Sequence, residues 1–374
     1  MKRILFVVSE DRYFVSHRLH LAIAAIECGY QVALLSRFNH HHDIIEKVGI
    51  QVFDWSLDRS SFNPFKELRA VFGLISAIQR FKPDLIHAVA IKPVLYSALV
   101  CRFTGVNSRI FALGGLGYLF SSQKRMARLF RPFFIFAFRI ALIDQKSLLI
   151  LQNPDDQSVL LAKGVISSDR IRLIRGAGVD INVFVPESIP SGVPLVILPA
   201  RLLWDKGVGV FVECARTLIN KGVRVRFALV GEPDKHNPES VSVKQLTEWV
   251  DEGVVEWWGH QNDMPDVYHQ SSVVCLPTTY GEGLPKSLLE AASCARPIVT
   301  YDVPGCREIV IENVNGFLVP LKDGADLCNA LEKLLEDAEL CLRFGEAGRN
   351  LVLAEFSQEK IAAETMKLWD EVLN

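Results

Sequence analysis

The chain has 374 residues, enough for two ordinary domains, and its 41 basic and 43 acidic residues give a formal net charge of −2. This near balance argues against a nucleic-acid-binding protein, because the totals show no basic excess. The eight cysteines are scattered without a C-x-x-C pair, which argues against a zinc site or a disulfide framework and predicts buried thiols in a reducing compartment.

The start of the chain and its apolar runs bear on targeting. Only five apolar residues separate Arg3 from Ser9, which is too short for the apolar part of a signal peptide. No run of about eighteen uncharged apolar residues occurs, so no membrane-spanning helix is predicted. We therefore expect a cytoplasmic protein, although a hydrophobic content of 49% is high for a chain that stays in water.

The first half of the chain alternates short apolar runs with helical patterns. The runs predict strands at residues 4–8, 31–35, 84–88 and 109–113, and helices are predicted over residues 15–28 and 64–81. This alternation predicts an α/β fold with parallel strands joined by right-handed crossovers. Because ligands of such sheets bind beyond the carboxyl ends of the strands, the residues there are the first functional candidates.

Three strand ends in this half carry candidate residues. His17 follows the first strand and is predicted at the start of a helix, either as a ligand group or as an ordinary polar residue of the first turn. Lys92 follows the strand at 84–88. The sequence Gly114-Gly115-Leu-Gly117 follows the next strand, where it forms either a plain tight turn or a backbone site for an anion.

The consecutive histidines 40–42 invite comparison with a metal site. Three successive residues cannot all face one ion, however, and no carboxylate pattern accompanies them. We predict a solvated loop there.

A basic and aromatic segment over residues 122–143 stands apart from the rest. Its charges are all of one sign and alternate with phenylalanines, as the boundary of an anionic membrane favours. The alternative is a core helix with a basic solvent edge, kinked at Pro132. The side chains expected to contact the membrane are Lys124, Arg125, Arg128, Arg131, Phe133 and Phe134.

Prolines and glycines over residues 176–194 predict a linker, and a second alternating half follows it. Strands are predicted at 195–198, 223–230, 254–255, 272–276 and 298–299, and helices at 207–219, 241–250, 325–336, 338–354 and 358–373. The pattern therefore predicts two Rossmann-like domains, over residues 1–180 and 181–356, facing a central cleft.

The most informative stretch of the second half follows its fourth predicted strand. Gly281 and Gly283 flank Glu282, and Pro285 is expected to open a helix that also carries Glu290. A helix start attracts an anion such as phosphate through its unpaired N–H groups and partial positive charge. Two carboxylates on either side of a phosphate suit the hydroxyls of the neighbouring sugars. The alternative is a helix start with two solvated glutamates.

Two cations precede another helix in this half. Arg201 and Lys206 follow the strand at 195–198, near the sheet edge expected to carry the glycine-flanked glutamate. Arginine offers a planar fork and lysine a point charge, and together they suit a diphosphate. With the two glutamates they indicate a site for a nucleotide-diphosphate sugar.

Several motifs resemble those of the retaining glycosyltransferases of family 4, which have the GT-B fold. They are RLLWDKG at 201–207, EWWGH at 256–260, GEGLPKSLLE at 281–290 and VPGCRE at 303–308, with further matches at 16–18, 91–93 and 152–156. The chain looks most similar to bacterial enzymes that add an N-acetylhexosamine of the GalNAc type to a polyprenyl-diphosphate-linked sugar.

The resemblance implies a role for each matching residue of the second half. In the family, the residues matching Arg201 and Lys206 hold the donor diphosphate, and the one matching Glu282 contacts the donor sugar. These three are the expected catalytic residues. The residue matching Glu290 contacts the nucleotide ribose. The expected donor-binding residues are Glu290, Gly281, Gly283, Leu284 and Pro285.

For the first half, the resemblance implies an acceptor-binding domain on which the last helix, residues 357–374, packs back. The residues expected on the acceptor or sugar side are His17, Lys92, Gly114, Gly115 and Gly117. Retention is expected to proceed on one face of the sugar. The resemblance implies that no metal is required, which agrees with the absence of a paired-Asp metal motif. No other cofactor is expected, and the UDP-sugar counts as a substrate.

Two positions depart from the family. Many relatives carry a histidine after the fifth strand that touches the donor sugar, whereas this chain reads ALGGLG at 112–117. The sugar contact must then come from elsewhere, such as backbone amides or His17. Ala295 stands where a glycine is usual, and if its φ is positive the alanine costs some stability without affecting the chemistry.

The sequence thus predicts sugar transfer from a UDP-sugar to a polyprenyl-diphosphate-linked saccharide at the inner face of the plasma membrane. The expected partners are these two substrates and an anionic membrane surface, with no nucleic acid. One alternative is a nucleotide-sugar 2-epimerase of the same fold, which would need no acceptor. Another is a non-catalytic protein that binds a nucleotide sugar and turns nothing over.

Overall fold

The computed structural model describes residues 1–58, 61, 63–116, 125–142, 147–234, 237–279, 281 and 283–374, including all their side chains except those of residues 125–130, 133 and 134. The chain divides into two compact units. The first consists of Met1–Ala177 together with Gln358–Asn374, and the second consists of Gly178–Ser357.

The first unit is built on a seven-stranded parallel sheet with the order β3-β2-β1-β4-β5-β6-β7. The strands are β1 (Arg3–Glu10), β2 (Gln31–Arg37), β3 (Gln51–Asp54), β4 (Leu85–Val89), β5 (Ser108–Ala112), β6 (Ser147–Leu151) and β7 (Ile171–Leu173). The helices are α1 (Asp11–His17), α2 (Leu19–Glu27), α3 (His42–Lys47), α4 (Pro64–Phe81), α5 (Ile91–Thr104), α6 (Arg125–Ala141), α7 (Pro154–Ala162) and the last helix of the chain, α15 (Gln358–Leu373).

The continuous apolar run within β1 is explained by the two cores between which the strand lies. Alternate residues of a strand point to opposite faces of the sheet. Leu5 and Val7 pack into a core with α4, α5 and α6, whereas Ile4 and Phe6 pack into a second core with α2 and α15. Because helices cover both faces, the five consecutive residues Ile4–Val8 are all apolar and buried.

Helix α15 closes one face of the first sheet. Its Trp369 is fully buried, and the indole N–H donates to Nδ1 of His87 in β4 at 3.1 Å. The hydroxyls of Tyr30 and Ser108 bond to Asp370 and to the Val372 carbonyl, at 2.8 and 2.6 Å. The carboxyl terminus is therefore an integral part of the first unit.

The second unit contains a six-stranded parallel sheet with the order β10-β9-β8-β11-β12-β13. The strands are β8 (Leu195–Pro199), β9 (Arg226–Val230), β10 (Glu256–Gly259), β11 (Val273–Leu276), β12 (Ile298–Tyr301) and β13 (Gly316–Val319). The helices are α8 (Val208–Asn220), α9 (Val243–Asp251), α10 (Met264–Gln270), α11 (Lys286–Ser293), α12 (Cys306–Ile309), α13 (Gly324–Glu336) and α14 (Ala338–Glu355). The predicted α/β fold with two Rossmann-like parallel sheets is confirmed.

The proline-rich segment before β8 differs from its prediction as a linker. From Gly178 onward it belongs to the second unit, and Phe184 is buried in that unit's core. Arg349 of α14 donates to the carbonyl oxygens of Phe184 and Ile181 at 2.8 and 3.0 Å. The arginine thus satisfies a backbone that belongs to no strand.

Within the described part of the chain, none of the helices combines the length and the apolar character needed to cross a membrane.

Candidate functional site

The strand order of the second sheet reverses between β8 and β11, and ligands of parallel sheets bind at such a point. The loop after β8 carries Arg201 and Lys206, and the loop after β11 leads to Gly281 and then to α11. The sheet therefore brings the two predicted parts of the donor site to neighbouring strand ends.

Asp205 and Gly207 join these two loops. The carbonyl oxygen of Asp205 accepts the N–H of Thr279 at 2.9 Å and the hydroxyl of Thr278 at 3.2 Å. Gly207 has a φ of 78°, and a Cβ there would lie 2.1 Å from the carbonyl oxygen of Pro277. Only glycine allows the two backbones to approach this closely. The loop with the two cations is thus fixed against the strand end that leads to the glycine-flanked glutamate.

The two predicted cations occupy different positions on their loop. Arg201 is more than half exposed and donates to Asp234, the loop residue after β9, at 2.8 Å. Lys206 ends a short 3-10 turn, Trp204–Lys206, immediately before Gly207. Because an exposed ion pair contributes little stability, the Arg201 guanidinium can exchange Asp234 for a phosphate at small cost.

Helix α11 presents a buried carboxylate. Glu290 is 8% exposed, and its two oxygens lie 3.0 Å from the donating hydroxyl of Tyr268 and 3.4 Å from Nζ of Lys286. Burial raises the pKa of Glu290, while Lys286 and Tyr268 act in the opposite direction. Glu290 is therefore not a solvated glutamate, which was the alternative left open by the sequence.

The loop between β11 and α11 contains the remaining predicted donor residues. Pro285 caps the helix with an extended ψ of 118°, so α11 begins at Lys286, one residue later than predicted. Leu284 is buried, and a Cβ on Gly281 would lie 4.0 Å from that of Pro304. Gly283 immediately precedes Leu284. Glu282, the predicted sugar-contacting residue, lies outside the described residues.

The parts of this site suit one kind of ligand. The start of α11 and the two cations favour a phosphate or diphosphate. The Glu290 carboxylate, already accepting one hydroxyl, has the lone pairs to accept others. Such a set of groups fits a nucleoside diphosphate bearing sugars.

In the first sheet the strand order reverses between β1 and β4. Two of the predicted residues, His17 and Gly114, lie near the carboxyl edge of this sheet and are connected through Tyr13. His17 stacks on the ring of Tyr13 at a centroid distance of 4.3 Å, and its Nδ1 lies 2.6 Å from the Ser16 hydroxyl. The Tyr13 hydroxyl would lie 3.2 Å from a Cβ on Gly114. Tyr13 therefore connects His17 to the glycine turn.

His17 differs from its prediction in one respect. It ends α1 rather than starting a helix, because the chain leaves the helical conformation at Arg18, whose φ is −136°, and α2 begins at Leu19. The predicted helix over residues 15–28 is thus two helices, and His17 lies in the last turn of the first.

Lys92 makes a different set of contacts. Its Nζ lies 2.8 Å from the Glu67 carboxylate of α4 and 2.9 Å from the Asp58 carbonyl oxygen. It therefore ties α5 to α4 and to the loop after β3. Ala90, two residues earlier, has a φ of 82°, in the left-handed region that favours glycine, which marks local strain at this strand end.

The glycine turn is held by a carboxylate that the sequence did not single out. The N–H of Leu116, which follows Gly115, donates to Asp156 of α7 at 3.2 Å, and the Asn153 side-chain amide donates to the same oxygen at 3.1 Å. Burial raises the pKa of Asp156 to about 6, although these hydrogen bonds oppose the shift. Gly117 lies outside the described residues.

Some contacts of the sites carried no signal in the sequence. Asp205 acts through its carbonyl oxygen, which any residue would offer. Tyr268 lies on α10, within an otherwise ordinary helical pattern. Asp156 stood in a family-like motif, and only its position beyond β6 could have suggested a role.

The remaining predictions concern histidines and the basic segment. The N–H groups of Asn39, His40 and His41 donate to Asp11 at 2.8, 3.0 and 2.9 Å, which fixes this loop. No cluster of His, Cys, Asp or Glu suited to a metal ion occurs among the residues that the structure describes.

In the basic segment, α6 includes Arg125, Arg128, Arg131, Phe133 and Phe134, and of these side chains only that of Arg131 is described and is half-buried. Lys124 lies outside the described residues.

Comparisons with known proteins bear on both units. The family model described as glycosyl transferase 4-like matches residues 3–153, and the one described as glycosyl transferases group 1 matches residues 193–337. Together the two matches cover most of both units.

Two curated relatives match nearly the whole chain. The N,N'-diacetylbacillosaminyl-diphospho-undecaprenol alpha-1,3-N-acetylgalactosaminyltransferase of Campylobacter jejuni is 27% identical over 350 residues, which cover 88% of each chain. The UDP-Gal:alpha-D-GlcNAc-diphosphoundecaprenol alpha-1,3-galactosyltransferase of Escherichia coli is 23% identical, with 83% of this chain and 81% of that one covered.

Among solved structures, the Anabaena protein HepE in complex with UDP and glucose superposes with a TM-score of 0.79 at 19% identity, covering 98% of this chain and 99% of that one. This likeness shows a shared fold.

Proposed function

Since the chain belongs to the group 1 and 4-like glycosyltransferases, we propose that it transfers a sugar, an N-acetylhexosamine, from a UDP-sugar to a polyprenyl-diphosphate-linked saccharide. The product would enter the assembly of a bacterial surface glycan or of the glycan of a glycoprotein. The relatives from Campylobacter jejuni and Escherichia coli, both named for undecaprenol-diphosphate-linked acceptors, support this choice of acceptor.

The observation that carries the donor side of the proposal is the joining of two loops in the second unit. The Asp205 carbonyl accepts from Thr279, and Gly207 packs on Pro277, so the cations of one loop lie beside the strand that leads to α11. Arg201 and Lys206 would hold the diphosphate. Gly281, Gly283, Leu284 and Pro285 would line it with backbone at the start of α11.

The two glutamates take different parts of the donor in this proposal. Glu290, held by Tyr268, would accept the ribose hydroxyls, and its near-complete burial suits a fixed contact. Glu282 would contact the transferred sugar.

The reaction would retain the anomeric configuration without a metal. The bond from the sugar C1 to the phosphate oxygen breaks, the bond from C1 to the acceptor oxygen forms on the same face, and the acceptor proton passes to the departing diphosphate. Arg201 and Lys206 would stabilise the negative charge that develops on the UDP, in place of a divalent ion.

The acceptor would bind the first unit. His17, Tyr13 and Gly114 form one connected group near the carboxyl edge of the sheet, with Gly115 next in the turn, and they supply ring faces and backbone to a saccharide. Lys92 would act there by holding the loop after β3 in place. Because the acceptor would be lipid-linked, the protein would work at a membrane, and the place we propose is the inner face of the plasma membrane, against an anionic surface.

Incubation with labelled UDP-sugars tests the proposal directly. We expect label to pass to a polyprenyl-diphosphate-linked saccharide, and mass spectrometry of the lipid product would identify the sugar that was added. Absence of transfer from every nucleotide donor would refute the proposal. Conversion of a UDP-sugar without acceptor would identify a 2-epimerase instead, and UDP binding without turnover would identify a binding protein.

Glu282→Ala tests the division of roles between the glutamates. We expect kcat to fall by about a hundredfold or more while the affinity for UDP changes little, because the residue would touch only the transferred sugar. Glu346→Ala, at an exposed position of α14, is the control and should leave both quantities unchanged. An equal loss of UDP affinity in Glu282→Ala would contradict its assigned role.

A further inference from the structure

Helix α4 carries a stripe of exposed apolar side chains on the side that faces away from the sheet. Phe65 is 84% exposed, and Leu68 and Phe72 are also exposed, at the helical spacing that places all three on one side. Ala70, Leu74 and Ala77 on the opposite side are buried in the core. The helix thus presents apolar surface both to the core and to its exterior.

The neighbouring helices continue this stripe. On α5, Leu99 and Phe103 are exposed one turn apart, and on α6 the same is true of Phe136 and Ile140. Helix α4 packs beside α5 and α5 beside α6, and all three cover the same face of the sheet. We call the exposed side of these three helices the outer helical face. Its exposed apolar side chains are Phe65, Leu68, Phe72, Leu99, Phe103, Phe136 and Ile140.

The charges of the outer helical face are almost all of one sign. Glu67 is the only acidic residue in the sequences of the three helices, and it is paired with Lys92 at 2.8 Å. Exposed basic residues lie next to the apolar ones, Arg69 beside Leu68 and Arg102 beside Phe103 on the chain. With a net charge of −2 for the whole chain, this basic character is local to the face.

The combination of exposed apolar side chains and charges of one sign indicates which class of partner the outer helical face would bind. Exposed apolar patches of several large side chains mark interaction surfaces. Pairing of two copies through the same patch would bring their arginines together, which like charges oppose. Anionic lipid headgroups supply the opposite charge, and the acyl boundary below them takes up phenylalanine and leucine side chains.

We propose that the outer helical face is the surface by which the protein docks on an anionic membrane. Helices α4 and α5 then share this contact with Phe136 and Ile140 of α6. The side chains of Phe65, Phe72 and Phe103 enter the headgroup boundary, and Arg69 and Arg102 meet lipid phosphates. The docking itself is independent of catalysis, and only its purpose, delivery of a lipid-linked acceptor, rests on the proposed function.

Vesicle binding tests the docking surface with a closely matched control. Leu68 and Leu99 are 54% and 48% exposed, and Leu342 and Leu353 on α14 of the second unit are 53% and 45% exposed. The double variant Leu68→Asp with Leu99→Asp should lower co-sedimentation with phosphatidylcholine vesicles containing phosphatidylglycerol by about tenfold or more. The variant loses apolar area that would enter the membrane, and its two new carboxylates are repelled by the anionic headgroups. Leu342→Asp with Leu353→Asp should bind as the unmodified protein does.

The remaining outcomes of this experiment are equally decisive. Equal binding by the two double variants would overturn the proposal, as would equal binding of the unmodified protein to vesicles of phosphatidylcholine alone. Sedimentation equilibrium tests the alternative of a dimer. If the unmodified protein forms a dimer, does not bind vesicles, and becomes a monomer in the double variant Leu68→Asp with Leu99→Asp, the outer helical face binds a second copy instead. Thermal unfolding should change to a similar extent in the two double variants, since the four side chains are about equally exposed.

A transfer assay separates this inference from the proposed function. With a short-chain acceptor in water, Leu68→Asp with Leu99→Asp should transfer sugar at the unmodified rate, and with a long-chain acceptor in vesicles its rate should fall about tenfold. Failure of the unmodified protein to transfer any sugar would refute the proposed function and leave the vesicle result intact.

Discussion

The two units hold the loops at the carboxyl edges of their sheets in different ways. In the second unit glycines do so: a Cβ on Gly207 or Gly231 would lie 2.1 or 2.0 Å from a neighbouring carbonyl oxygen. In the first unit side chains do so, through Asp11 and Lys92, which bind the backbone of neighbouring loops. A backbone contact that only glycine permits leaves no room for adjustment, whereas a side-chain contact can be rearranged. Under the proposed function, the difference would suit a donor diphosphate of constant structure in the second unit and a variable acceptor saccharide in the first.

Gly207→Ala tests the rigid side of this comparison and has the largest expected effect. The added Cβ meets the Pro277 carbonyl, and a φ of 78° disfavours alanine. We expect the free energy of unfolding to fall by about 2–4 kcal/mol, from overpacking and from the left-handed backbone together. Urea denaturation measures the loss. Under the proposed function, UDP affinity should fall as well, because the substitution would displace Lys206 from the diphosphate.

Gly222→Ala is the matched control for this substitution. Gly222 has a φ of 85°, but no atom lies within 4 Å of its Cβ position. It should lose only the backbone contribution, about 1 kcal/mol, and keep its affinity for UDP. Equal losses in the two variants would show that the loop contact does not matter and would remove this contrast between the units.

Asp156 tests the side-chain contacts of the first unit through the pH dependence of the free energy of unfolding. Burial raises its pKa to about 6, so the folded state favours the protonated carboxyl. The free energy of unfolding should therefore fall as pH rises from about 4 to about 6, because the unfolded chain releases the proton first. At about 1.4 kcal/mol for each pKa unit, we expect this contribution to be about 3 kcal/mol over the whole range.

Asp156→Asn should remove that part of the pH dependence. The amide keeps an oxygen for the N–H of Leu116, and it does not ionise. The difference in unfolding free energy between the variant and the unmodified protein, measured by denaturation at pH 4, 5, 6 and about 7, should thus grow in favour of the variant. A constant difference would mean that Asp156 does not titrate in this range and that the turn is held otherwise.

The architecture could be predicted from the sequence because buried parallel strands have a characteristic sequence pattern. Continuous apolar runs such as those of β1 and β8, spaced by helical patterns, can hardly form anything but two parallel sheets. The position of the loop that carries Arg201 and Lys206, beside the strand end that leads to α11, followed from the same logic, since parallel strand ends meet at one edge.

What the sequence could not predict depends on contacts without a residue signature. The bond from Thr279 to Asp205 is made by backbone, and the exposure of Phe65, Leu68 and Phe72 depends on which side of α4 meets the sheet. The break at Arg18 falls within an unbroken helical pattern, so His17 was expected at a helix start. Tertiary packing decided each of these features.

Substitution of Ala295 has the smallest expected effect. It tests whether the second unit tolerates a strained backbone position that glycine would fit better. Its φ is 55°, the positive value for which the sequence predicted a local cost, and its carbonyl oxygen would lie 2.1 Å from a Cβ on Gly345 of α14. Ala295→Gly should raise the free energy of unfolding by about 0.5 kcal/mol, since relief of the left-handed strain exceeds the entropy that glycine adds to the unfolded chain. Ala363→Gly, at an exposed helical position of α15, should instead lower it by about 1 kcal/mol. Sugar transfer should be unchanged in both variants. Destabilisation by Ala295→Gly would mean that the alanine methyl group packs well enough to outweigh its strain, so that this unit too adjusts through side chains.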